Sequence, residues 1–171
     1  LYGLTVLGRE KETGDLLAWS HAYCLPIVLE RRKDIAPRLL DFQRDGDLTI
    51  VPKIEEACAA VVALVKRADD AGLLGSLHDG KKRAIGVDAA CIKQTLDALN
   101  AAGYPDEQIV GVSQGWRLTT AIKSTELYLS SEALRHARQP LMNWCVGNAK
   151  VELKGNAVLI TKQASGSAKI D

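Results

Sequence analysis

Two aspartates of this 171-residue chain occur where a metal site would need carboxylates. Asp88 ends the short apolar run 84–87, and Asp171 follows a segment rich in Gly and Ser that also carries Lys169. Hard divalent cations take oxygen ligands, and a site for two ions draws carboxylates from elements far apart in the chain. Ions held in this way activate water and stabilise the leaving oxygen of a phosphodiester. The pair therefore indicates a metal-dependent nuclease, with Lys169 placed to contact phosphate.

Each aspartate also has a simpler explanation. Asp88 would cap the amino end of a helix that starts at Ala89, a common role for aspartate. Asp171 would be an acid in contact with solvent. The residues alone leave both explanations open.

Ser113 lies in a G-x-S-x-G sequence after a predicted strand, which is the setting of a hydrolase nucleophile elbow. His136 is the one histidine that follows it, and Glu126 or Glu132 would have to supply the acid of a triad. Both acids fall on or near a predicted helix, and the chain has no HGGG-type oxyanion motif. A serine hydrolase is therefore a less favoured alternative to the nuclease.

The remaining chemistry-bearing residues point to structural roles. The three histidines lack the spacing of metal ligands. Trp116 and Trp144 are predicted to pack as core or sheet-covering aromatics. The four cysteines are widely spaced, and no two of them form a C-x-x-C motif (Cys24, Cys58, Cys91 and Cys145). We expect them to be buried free thiols in a reducing compartment.

Composition predicts a compact soluble domain, because 47% of the residues are hydrophobic and 25% are charged. No apolar run approaches the length of a bilayer span, so we expect an intracellular protein without membrane contact. Charge is unevenly distributed: residues 1–112 carry 14 basic and 17 acidic side chains, and residues 113–171 carry 8 and 4. The C-terminal third is therefore expected to face a polyanion.

The elements that must position these residues follow from hydrophobic periodicity. The first half is predicted to form a β-hairpin, a helix, a strand and a second helix (2–7 with 16–22, 30–44, 48–51 and 54–68). Strand and helix then alternate (84–87, 89–102, 108–112 and 119–131), which implies parallel neighbouring strands. Residues 150–161 alternate around Gly155-Asn156 as a second hairpin, either a DNA-contacting arm or a sheet edge. We expect one α/β domain over 1–171, with a mixed sheet flanked by helices.

Six ordered blocks of sequence resemble the C-terminal nuclease domain of a tailed-phage large terminase subunit (85–88, 109–116, 121–123, 134–136, 140–148 and 165–171). The resemblance implies a ribonuclease-H-like fold in which three acids hold Mg²⁺ or Mn²⁺ in a two-metal site. Asp88 matches the second acid and Asp171 the third. The first acid would lie upstream of Leu1, so we expect a nuclease domain truncated at both ends and nearly inactive by itself.

The resemblance further implies an endonuclease that cuts concatemeric double-stranded DNA in the host-cell cytoplasm. Lys169, Lys162 and Arg138 would contact its phosphates. Portal protein and small terminase subunit would be partners of the full-length protein, which would be oligomeric only in the packaging motor. An N-terminal packaging ATPase would lie outside this chain, which has no G-x-x-x-x-G-K-[ST] sequence. Two further alternatives are a resolvase- or transposase-like nuclease of the same fold and a non-catalytic module that docks on DNA or on the portal.

Overall fold

The computed structural model describes residues 1–75, 85–88 and 93–162. The chain divides into two compact units. The first unit combines Leu1–Pro52 with the chain from Gly115 onward, and the second unit is Lys53–Gln114. No helix in the described ranges is long and apolar enough to cross a lipid bilayer.

The first unit opens with the predicted hairpin, formed by β1 (Tyr2–Arg9) and β2 (Leu16–Cys24). Glu10 organises the turn between the strands. Its carboxylate accepts hydrogen bonds from the backbone N–H groups of Thr13 at 2.6 Å and Glu12 at 3.1 Å. These donors stabilise the ionised form and lower the pKa of Glu10 to about 2.

Strand β2 is the central strand of a mixed four-stranded sheet. β1 pairs with it in antiparallel fashion, whereas β3 (Leu48–Ile50) and β6 (Leu134–His136) run parallel to it. β6 pairs with residues 16–18 and β3 with residues 22–24, so the two short strands share the edge that β1 leaves open. β3 is predicted by the sequence, but β6 is not, because three residues are too few to show a strand period.

Between β3 and β6, the side chain of Gln139 completes the edge of β2. The Ser20 N–H donates to Gln139 Oε1 at 2.8 Å, and Gln139 Nε2 donates to the Ser20 carbonyl at 2.7 Å. Gln139 Nε2 also lies 3.0 Å from Asp47 Oδ1, and Asp47 Oδ2 accepts from the Leu141 N–H at 3.0 Å. Asp47 is only 5% exposed. These donors offset the cost of removing its charge from water.

Helices α1 (Pro26–Arg31), α2 (Ala36–Arg44) and α6 (Pro140–Gly147) belong to the same unit. The prediction of one helix over 30–44 is wrong, because the chain turns at 32–35 and starts a new helix. Both α1 and α2 carry proline in the first turn, where a missing N–H interrupts no intrahelical bond. The main core packs these helices on the sheet (Ala22, Cys24, Ile35, Leu39, Phe42, Leu48, Leu141 and Cys145).

The rest of the first unit is a helix and a second hairpin. α5 (Thr119–Ser130) follows a one-turn 3-10 helix, Gly115–Leu118. β7 (Ala149–Lys154) and β8 (Ala157–Lys162) pair in antiparallel fashion around Gly155-Asn156. Gly155 has φ +58°, the left-handed conformation that glycine adopts at low cost in such turns. The predicted helix and hairpin are both confirmed.

In the second unit, α3 (Ile54–Asp70) packs against α4 (Lys93–Ala101). Five side chains of the two helices are buried (Ala57, Cys58, Val61, Thr95 and Leu99). β4 (Ile85–Asp88) and β5 (Ile109–Val112) form a parallel pair in the same unit, with a one-turn 3-10 helix, Asp106–Gln108, before β5. The predicted parallel neighbours are confirmed.

The fold is the predicted mixed α/β class, with a mixed sheet flanked by helices. The membership of that sheet differs from the prediction. Within the described residues, β3 and β6 are the parallel partners of the opening hairpin, whereas β4 with β5 and β7 with β8 form separate two-stranded sheets. Three cysteines are buried free thiols as predicted, and Cys91 lies outside the described residues (Cys24, Cys58 and Cys145).

Candidate functional site

Asp88 is the last residue of β4, and its side chain is exposed. In the parallel register it lies opposite Val112, the last residue of β5. Functional groups of parallel sheets gather beyond the carboxyl ends of the strands. Asp88 therefore occupies the position that the sequence predicts for it, at the end of a parallel pair.

Ser113 directly follows β5, so the same end of the pair carries a carboxylate and a hydroxyl. Ser113 is half-buried, whereas Asp88 is exposed. An exposed carboxylate at such an edge supplies the kind of oxygen ligand that a hard cation takes. The hydroxyl adds no charge. Asp88 is thus the group at this edge that would attract a divalent ion.

The described residues contain no group of three or more His, Cys, Asp or Glu side chains that could hold a metal ion. Asp88 fits Mg²⁺ or Mn²⁺ as a single oxygen ligand. Its predicted partner Asp171 lies outside the described residues, and so do residues 89–92, where a helix capped by Asp88 would start. The convergence of Asp88 with Asp171 stays a prediction.

The three predicted phosphate contacts are described to different extents. Lys169 lies outside the described residues. Lys162 ends β8 opposite Ala149, and its side chain is also outside them. Arg138 is exposed, has φ +54°, and donates its backbone N–H to His136 Nδ1 at 3.2 Å. Their roles at DNA remain predictions.

The geometry at Ser113 lacks one feature of a nucleophile elbow. Such an elbow holds its serine in a strained turn. Here the positive φ of +80° belongs to Gly115, and the described non-glycine residues with positive φ are Glu132 and Arg138. Ser113 belongs to the second unit, whereas His136 lies in β6 of the first unit.

Sequence reasoning did not predict an exposed tryptophan in the first unit. Trp116 lies on the 3-10 turn Gly115–Leu118 and is 65% exposed, so the prediction that it packs as a core aromatic is wrong. A single turn has no periodic buried face that would direct the ring inward. Trp144 packs against Phe42 with ring centroids 5.6 Å apart, as predicted.

Trp116 borders a groove of about 760 Å³ between the 3-10 turn and the β7–β8 hairpin. The guanidinium carbon of Arg117 lies 5.4 Å from the Trp116 ring centre, a cation–π arrangement. Lys154 lines the opposite wall, on β7. The sequence signal that marks this place is the direct succession of tryptophan and arginine after a glycine.

No protein-family model and no curated protein matches the chain. The crystal structure of the HK97 bacteriophage large terminase does match, with a TM-score of 0.72 over 99% of this chain at 19% sequence identity. The chain covers 34% of that protein, about a third of its length. The match shows a shared fold, and it confirms the resemblance to large terminase subunits at the level of the fold.

Proposed function

We propose that this chain is the endonuclease domain of a viral DNA-packaging terminase and cuts concatemeric double-stranded DNA with Mg²⁺ or Mn²⁺. The observation that carries the proposal is the exposed carboxylate of Asp88 at the end of a parallel strand pair. It occurs in a chain with the fold of a phage large terminase over 99% of its length.

Asp88 and Asp171 would hold the metal in this proposal, together with an acid from upstream sequence. A metal held by these carboxylates would activate a water and would neutralise charge on the phosphodiester. Lys169, Lys162 and Arg138 would bind backbone phosphates, contacts that orient the duplex without reading its sequence. Portal protein, small terminase subunit and a host-cytoplasmic location belong to the proposed full-length protein.

The proposal is tested by plasmid cleavage with Mn²⁺, using the longer protein that it implies. Asp88→Asn keeps the shape of the side chain but removes its charge, and we expect cleavage to fall at least about 100-fold. Removing an outer-shell partner of a metal ligand costs up to roughly 100-fold in activity, and removing the charge of the ligand itself should cost at least as much. Asp97→Asn is the matched control, because Asp97 is an exposed acid on α4 of the same unit. Wild-type cleavage by Asp88→Asn would refute the metal role.

Ser113→Ala separates the nuclease from the hydrolase alternative in the same assay. We expect cleavage within about twofold of wild type, since a change of 0.4 kcal/mol corresponds to that factor. Stoichiometric labelling of Ser113 by a serine-reactive phosphonate would instead favour the hydrolase.

A second candidate function is a DNA-binding module without catalysis. The groove beside Trp116 favours it, because an exposed aromatic ring with two cations suits nucleic acid. Metal-independent DNA binding by the longer protein, with no cleavage in Mg²⁺ or Mn²⁺, would select this candidate over the nuclease.

A further inference from the structure

We propose that the groove beside Trp116 binds a single strand of DNA, with an unpaired base stacked on the indole ring. The proposal rests on the proposed function in taking DNA as the polyanion. The metal site and this groove are otherwise built from different residues. The groove lies wholly in the first unit, and every residue that lines it is described.

An exposed aromatic ring borders the groove. Trp116 is the most exposed aromatic side chain of the described residues, at 65%, and Trp19 follows at 41%. Tryptophan contributes most to stability when it is buried, so leaving the indole in solvent forfeits stabilisation. A stacking surface for a ligand ring accounts for this exposure. Proteins that bind single strands use aromatic rings in this way, because every unpaired base has a π-face.

The charged side chains that line the groove are cations. Arg117 and Lys154 line the groove, and no acidic side chain is among its described lining residues. The carboxylate of Glu152, two residues before Lys154 on β7, lies 4.0 Å from the Lys150 ammonium. The residues that line the groove therefore carry a net positive charge, which complements a phosphate backbone. The guanidinium of Arg117 lies over one face of the indole, 5.4 Å from the ring centre, so the base would stack on the other face and the guanidinium would contact a nearby backbone phosphate.

Hydrogen bonds of Thr119 connect the two walls of the groove. Thr119 Oγ1 donates to the Trp116 carbonyl oxygen at 2.7 Å and accepts from the Val158 N–H at 3.1 Å. One hydroxyl thus joins the 3-10 turn to β8. A groove with fixed walls loses less conformational entropy on binding than a flexible one.

A single strand suits these features better than a duplex. In a duplex the bases are stacked on one another, so an indole ring cannot cover a base face without disrupting the stack. In a single strand the same faces are accessible. The groove volume of about 760 Å³ is within the range of sites that hold small ligands, so it accommodates a short stretch of one strand.

The test measures fluorescence anisotropy of a labelled 15-nucleotide oligothymidylate and of a 15-base-pair duplex. For the oligothymidylate, we expect Trp116→Ala to weaken binding about 5- to 150-fold, the range for loss of one base–aromatic stack. Trp116→Phe keeps an aromatic face and should retain most of the affinity. Tyr128→Ala is the control, since Tyr128 is exposed on α5 but does not line the groove.

Salt dependence tests the cations separately. Arg117→Ala and Lys154→Ala should each reduce the slope of log affinity against log salt by about 0.7, the value for one phosphate contact on a single strand. Lys123→Ala, on α5 outside the groove, should leave the slope unchanged. Unfolding midpoints of all variants should match wild type, because the altered side chains are exposed.

Unchanged oligothymidylate affinity in Trp116→Ala would overturn the proposal. An equal loss of affinity for single strand and duplex would also overturn it and assign the groove to duplex DNA. Failure of the nuclease proposal has a different signature, namely Trp116-dependent binding of oligothymidylate without metal-dependent plasmid cleavage. If only the groove proposal fails, plasmid cleavage will still require Asp88, and oligothymidylate binding will not depend on Trp116.

Discussion

Asp47 directly precedes a short strand that pairs in parallel and Asp88 ends another, but Asp47 is buried and Asp88 is exposed. Asp47 precedes β3, is 5% exposed, and has both oxygens occupied by donors from Gln139 and Leu141. Asp88 ends β4, and its side chain is exposed. A buried carboxylate surrounded by protein donors holds the fold together, whereas an exposed carboxylate at the end of a strand can meet a cation or a ligand.

The largest expected effect on stability separates these two acids directly. Asp47→Ala removes two charge-assisted hydrogen bonds and leaves the buried Leu141 N–H without its acceptor, so the free energy of unfolding should fall by about 3 kcal/mol. Asp88→Ala removes an exposed side chain and should change it by less than about 0.5 kcal/mol. Urea unfolding followed by circular dichroism measures both. Equal losses for the two variants would break the distinction between them.

A smaller effect is expected at Gln139, which links Asp47 to the edge of β2. Gln139→Ala leaves the Ser20 N–H and carbonyl groups without their partners, and we expect a loss of about 2 kcal/mol in the free energy of unfolding. Asp47→Asn is the companion variant, because it keeps the shape of the side chain and one of its two acceptor positions. In a Gln139→Ala background, Asp47→Ala should cost less than it does alone, since the two residues share a bond. Additive losses would contradict a shared network.

Thr119 is a neutral residue that, like Asp47, links segments far apart in the chain by hydrogen bonds. Thr119→Val keeps the volume of the side chain but removes the hydroxyl that binds the Trp116 carbonyl and the Val158 N–H. We expect a loss of about 1 kcal/mol in the free energy of unfolding. Thr119→Ser retains the hydroxyl and should lose less. A valine variant as stable as wild type would show that this link is not needed.

The smallest expected effect is the pH dependence of stability that arises from His21, the histidine on which the charge of Asp47 acts. Burial lowers the pKa of His21, and the negative charge of Asp47 partly opposes that shift. His21 Nδ1 is buried without a hydrogen-bond partner in the described part of the chain. Because the unfolded imidazole, with a pKa of about 6.5, binds a proton more readily than the folded one, stability should fall as pH drops below that value.

Urea midpoints of wild type and His21→Phe between pH 7.5 and 5 measure this contribution. The midpoint of wild type should fall more on acidification than that of the variant. A steeper fall in the variant would mean that the folded state prefers the charged imidazole, which is the opposite of what burial predicts.

Most of the elements could be predicted from sequence because their signals are local. The stripe of apolar residues in α3, the alternation in β7 and β8, and the Gly155-Asn156 turn each depend on neighbours a few positions away. The sequence pattern does not predict the break between α1 and α2, although the proline at position 37 suits a helix start. For the site, the sequence placed Asp88 at the end of a strand, and the structure agrees.

Sequence alone could not predict the role of Asp47, the strand β6 or the exposure of Trp116. Asp47 meets Gln139 across 92 residues, and Ser20 meets Gln139 across 119. β6 has three residues and exists because the edge of β2 at residues 16–18 is open to it. Local pattern determined which segments become helices and strands, since propensity and periodicity act over short distances. Tertiary structure decided which polar groups are buried and which are exposed, because that depends on contacts between segments far apart in the chain.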